Sequence, residues 1–65
     1  MNAQQIIEKK LHGDSLRIMK IANKLAVERG LKEYSETTIR QQLNGTRKMK
    51  PIVEEAATLY YDMIQ

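Results

Sequence analysis

The sequence predicts an all-α protein, a small domain of four helices. Three observations carry that expectation. Apolar residues recur at three- and four-residue spacing in separate stretches along the chain. Gly13, Gly30 and Gly45 each follow one of the first three stretches, and the single proline, Pro51, opens the last. The composition is 42% apolar and 29% charged, with no Phe and no Trp, which suits a helical chain that faces water.

The first helix is read over Ala3 to Leu11, where Ile6, Ile7 and Leu11 share a face. His12 falls in its last turn, where a protonated imidazole favours a helix C-terminus. Asp14 or Ser15 is a candidate N-cap for the second helix. From Leu16 to Arg29 a core stripe of Ile18, Ile21, Ala22 and Leu25 runs beside a basic ridge of Arg17, Lys20 and Lys24. A connector follows, in which Leu31 and Tyr34 are read as core anchors. Ser35 is an N-cap candidate for the third helix, with Thr38 three residues on where a capping box has Glu or Gln. That helix is short and mostly polar. Ile39 and Leu43 are its large apolar residues, and Thr37, Thr38, Arg40, Gln41 and Gln42 are read as exposed. Asn44-Gly45 ends it, and Thr46-Arg47-Lys48-Met49-Lys50 is a basic loop. The last helix starts at Pro51 and runs to about Met63 or Ile64, with an apolar face wider than one partner helix needs.

Length and charge narrow the functional classes. Sixty-five residues make one domain, 1–65, burying only about 60% of the surface an unfolded chain exposes. The net charge of +3 is unevenly spread. The chain is neutral up to Asp14, carries +6 between Ser15 and Lys50, and −3 after Pro51. A basic middle is the footprint of a polyanionic partner. With no cysteine and one histidine, neither a disulfide nor a metal site is expected, and no cofactor. Glu54 and Glu55 are adjacent rather than paired across a cleft, no nucleophile sits with a base, and no phosphate-cradling loop is present, so catalysis is not expected. The basic segment has no aromatic platform for stacking RNA bases. No apolar run approaches the roughly 20 residues of a membrane span. Met1-Asn2-Ala3-Gln4-Gln5 lacks the basic start and apolar stretch of a signal peptide, so a cytoplasmic location is expected.

A helix that offers Thr, Arg, Gln and Asn outward suits a DNA major groove. Arg grips guanine at two acceptors, and Gln or Asn grips adenine likewise. The run Thr38-Ile39-Arg40-Gln41-Gln42-Leu43-Asn44-Gly45-Thr46-Arg47-Lys48-Met49-Lys50-Pro51 resembles the recognition helix and following loop of helix-turn-helix repressors. The nearest patterns are the lactose-repressor family, with its T-[VI]-S-R-[VI]-L-N-G-x-x-x-V-S-P run, and the phage repressor and Cro-like proteins. The likeness is close from Ser35 to Pro51 and loose elsewhere.

The resemblance implies roles residue by residue. Ser35 would open the recognition helix beside a phosphate. Glu36, Thr37, Arg40 and Gln41 fall where base-facing and backbone-facing side chains lie, and Thr38 where a phosphate is touched. Ile39 and Leu43 would pin the helix. Asn44, Thr46, Arg47 and Lys48 would grip the flanking phosphates, Met49 would stand for a buried valine and Pro51 for a helix start. Three departures are visible. Gly30 lies five residues before Ser35 instead of two, Gln42 replaces an apolar residue, and Lys50 replaces a capping Ser. The longer turn predicts a variant helix-turn-helix.

The expected function is therefore that of a small sequence-specific DNA-binding regulator of the repressor type, of the size phages and mobile elements use. Its partners would be double-stranded DNA and a second copy, joined through Tyr60, Tyr61, Met63 and Ile64 of the last helix. The alternative is a protein-binding module, an antirepressor or adaptor, that uses the last helix and an exposed tyrosine pair on the same scaffold.

Overall fold

A computed structural model describes residues 1–64. Four helices follow one another: α1 (Ala3–Lys9), α2 (Asp14–Glu28), α3 (Glu36–Leu43) and α4 (Pro51–Ile64). There is no strand among the described residues, so the all-α four-helix expectation holds.

Each helix begins and ends for an identifiable reason. Asn2 caps α1: its side chain accepts from the Gln5 N–H, and the Gln5 side chain accepts from the Asn2 N–H. The helix stops at Lys9, short of the expected Leu11. Leu11 is 70% exposed, and His12 lies in the turn beyond the helix rather than in its last turn. Gly13 takes a left-handed φ of 91° immediately before α2. Asp14 is thus the first residue of α2 rather than its cap, and Ser15 is buried behind it.

The C-termini of α2 and α3 close alike. After α2, the Gly30 N–H donates to the Val27 carbonyl and the Leu31 N–H to that of Ala26. After α3, the Gly45 N–H donates to Gln42 and the Thr46 N–H to Gln41. Both are Schellman closures, which need a left-handed residue that glycine supplies. Pro51 opens α4, where its missing N–H has no intrahelical partner to lose. The Lys50 carbonyl accepts from the Val53 and Glu54 N–H groups, so the backbone rather than a serine hydroxyl serves the start of α4.

The core draws on all four helices. Ile6 comes from α1, and Ile18, Ala22 and Ala26 from α2. Ile39 and Leu43 come from α3, and Ile52, Val53, Ala56, Ala57, Tyr60 and Tyr61 from α4. The alanines on α2 and α4 let their backbones approach closely, and these two helices share the most extensive contact of the fold. The buried stripe of α2 is therefore rotated from the one read in the sequence. Ala26 is fully buried, while Ile21 and Leu25 are half-buried at its margin. Leu31 is 54% exposed and is no anchor, whereas Tyr34 does pack against the core.

Tyr60 and Tyr61 overturn an expectation. Assigned to a surface for self-association, they are buried, and both hydroxyls donate to the Asp14 carboxylate, at 3.2 and 2.8 Å. Tyrosine accepts burial when its hydroxyl finds a partner, and the start of α2 provides one. A docking surface on α4 can use Leu59, Met63 and Ile64, which are exposed, but not the tyrosines.

Candidate nucleic-acid interface

α2, the connector 29–35 and α3 make the helix, long turn and helix. A side chain of α2 holds the far end of the turn. Asn23 on α2 donates its amide to the Tyr34 carbonyl at 3.0 Å and accepts from the Tyr34 N–H at 2.7 Å. One residue thereby satisfies both backbone groups of the position just before the α3 cap. Arg29 adds a second brace, a two-pronged contact with Glu55 at 2.9 and 2.7 Å that ties the end of α2 to α4. The hydrogen bond to Arg29 holds the Glu55 carboxyl below its ordinary pKa.

Ser35 caps α3, as the sequence predicts. Its hydroxyl oxygen accepts from the Thr38 N–H at 3.2 Å, and its hydroxyl donates to Thr38 Oγ1 at 2.9 Å. Both side chains are thus engaged in the cap. Beyond them, Thr37, Arg40 and Asn44 are exposed and Glu36 and Gln41 are half-buried. Arg40 donates from Nη2 to Glu36 Oε1 at 2.7 Å, one turn back along the helix. That contact occupies one of the five guanidinium donors and leaves others for a ligand.

Gln42 departs from expectation. It is 2% exposed instead of facing solvent. Its Oε1 accepts from the Lys50 N–H at 2.9 Å, so it fastens the far end of the basic loop to α3. The near end is fastened by the Thr46 and Arg47 N–H groups, which both donate to the Gln41 carbonyl. Met49 packs against the core in between. Thr46, Arg47, Lys48 and Lys50 remain exposed on a loop whose backbone is tied at both ends. With its side chains an α-helix is about 10–12 Å across, close to the width of a B-form major groove. Arg40 and Gln41 thus lie between the α3 cap and a cationic loop.

Two further groups belong beside this face and were not assigned to it from sequence. Lys10 and His12, on the turn between α1 and α2, share a surface groove with Gly13, Leu16, Glu36 and Arg40. The signal was a Lys-x-His pair before a glycine, which has no meaning until the turn is placed beside α3. The basic ridge of α2 is exposed as expected, although Arg17 reaches Tyr60 Oη at 3.4 Å, and that hydrogen bond raises the Arg17 pKa.

Beneath the site, Asp14 joins α2 to α4. Burial alone would raise its carboxyl. Hydrogen bonds from the Leu11 N–H, Tyr61 and Tyr60, with Arg17 nearby, outweigh burial and hold it below the usual carboxylate range. Burial and the Asp14 charge push the Tyr61 phenol well above its ordinary value. No group of acidic, histidine or cysteine side chains that could hold a metal occurs among the described residues. No helix among them is long and apolar enough to cross a membrane.

No family model matches the chain, and neither a curated protein nor a solved structure does.

Proposed function

We propose that the protein is a sequence-specific DNA-binding regulator of the repressor type. α3 enters the major groove, with Arg40, Gln41 and Thr37 toward base edges. Arg47, Lys48, Thr46 and Asn44 take the phosphates on one flank, and Lys10 and His12 take those on the other. Ser35 and Thr38 hold the N-terminal turn of α3, and Glu36 orients Arg40. The observation that carries the reading is the way α3 is held. Ile39, Gln42 and Leu43 face inward, and every residue assigned to DNA lies at the surface, exposed or half-buried. Tying the loop backbone to α3 through Gln41 and Gln42 also lowers the ordering cost of gripping phosphate.

Binding of duplex DNA measured against salt tests the reading. Contacts to phosphate release counterions, so log affinity falls linearly with log salt. Arg47→Ala or Lys48→Ala lowers that slope by about 1 and weakens all sequences alike, whereas Arg40→Ala weakens the preferred site by about 1–3 kcal/mol and random DNA less. A flat salt response in the unaltered protein sinks the proposal.

A further inference from the structure

We infer that the groove between α2 and α4 is where a second copy of this chain docks, about a two-fold axis, on the flank of α2 away from α3. Ile21 and Leu25 from α2 and Leu59 and Met63 from α4 line this groove, and Lys24 and Glu28 form its rim. Leu59 is 43% exposed and Met63 69%, so α4 ends in an uncovered apolar edge one turn long. Its apolar floor lies away from the DNA face: Asn23, which holds the turn before α3, lies with Met19 and Glu33 in a second groove on the other side of α2, and the two grooves meet only at Lys24.

The rim decides the occupant. Lys24 and Glu28 are four residues apart on one helix, one charge of each sign. A partner of a single charge sign meets repulsion at one of the two. The groove's own image, turned by a two-fold axis across antiparallel α2 helices, sets each Lys24 against the partner's Glu28, twice over. The groove is also electrically neutral, so two copies of a chain with net charge +3 meet where their charges cancel. The apolar floor supplies the attraction, since burying Leu59 and Met63 removes hydrocarbon from water that folding left exposed. Two copies joined there keep both α3 helices uncovered.

Sedimentation equilibrium of the full chain without DNA tests this. The dimer fraction rises between about 10 μM and 1 mM, the range of a small interface. Met63→Glu, at an exposed position, keeps the helical circular dichroism and weakens association by about tenfold or more, because it puts a charge into the apolar floor. Lys24→Glu and Glu28→Lys each weaken association, since each variant's rims then carry one sign. An equimolar mixture of these two variants regains it, because unlike rims now meet. A helix weakened from within is not rescued by mixing. A monomer throughout that range, association indifferent to Met63→Glu, or a mixture no stronger than its components overturns the inference. The readout involves no DNA, so it succeeds or fails apart from the reading of α3.

Discussion

The Tyr61 hydroxyl donates to Asp14 Oδ2 at 2.8 Å, joining the first residue of α2 to the last turn of α4 across 47 positions of sequence. Tyr60 donates to the other oxygen of the same carboxylate, and the Leu11 N–H to Oδ2 as well. One buried acid thereby fixes the α1–α2 turn and the end of α4 together. The α1–α2 turn carries Lys10 and His12, so this core contact also sets one edge of the proposed DNA face.

Asp14→Asn is expected to destabilise the fold by about 1–3 kcal/mol. An amide can accept at one atom only, so one buried hydroxyl faces an N–H instead of an acceptor. Chemical denaturation at neutral pH measures the loss.

The same carboxylate gives the fold an acid limit. Its folded pKa lies below the ordinary value, so the stabilisation is present above the unfolded pKa, about 3.9. It is lost as pH falls through the folded value. Thermal midpoints of the unaltered protein should therefore drop as pH falls below about 4, and Asp14→Asn should show a shallower drop over that window. Parallel acid profiles for the two proteins would remove Asp14 as the cause.

Gln42→Leu separates packing from hydrogen bonding. Leucine suits the buried slot, yet the Lys50 N–H loses its acceptor. The cost is expected to be about 1–3 kcal/mol, with faster amide exchange at Lys50 than in the unaltered protein. Affinity for DNA should fall with it, since Arg47 and Lys48 sit on the released loop.

Gly45→Ala should be the most harmful of the three Gly→Ala changes. All three glycines have positive φ, but a Cβ at Gly13 or Gly30 meets open space, while one at Gly45 comes within 3.3 Å of Ile7 Cδ1. Left-handed strain alone costs about 1–2 kcal/mol. Differences among the three melting temperatures then report the contact with α1.

Much of the fold was legible because its signals are local. The stops at Gly30 and Gly45, the Ser35 cap, the Pro51 start and the pinning pair Ile39 and Leu43 each depend on residues a few positions apart. What escaped depends on pairing across the chain. Asp14 reads as an N-cap until two tyrosines from α4 arrive beside it, and those tyrosines read as a sticky surface until their acceptor is known. Gln42 reads as a solvated amide because nothing in its helix reveals that the Lys50 N–H waits behind it. Asn23 gave no signal at all, being a polar residue on a long helix whose partner is backbone. The longer turn was visible in the spacing of Gly30 and Ser35, and the side chain that makes it rigid was not. The rotation of the α2 stripe toward Ala26 followed from the alanines facing it on α4.

Amide shifts of the labelled protein, followed as duplex DNA is added, test the central claim most directly. The account predicts that, with a duplex long enough for one copy only, Ser35 to Lys48 respond together with Lys10 and His12, while Leu59, Met63 and the adjoining face of α2 stay still at fixed protein concentration. Shifts confined to α4 and that face of α2, with α3 silent, would contradict it.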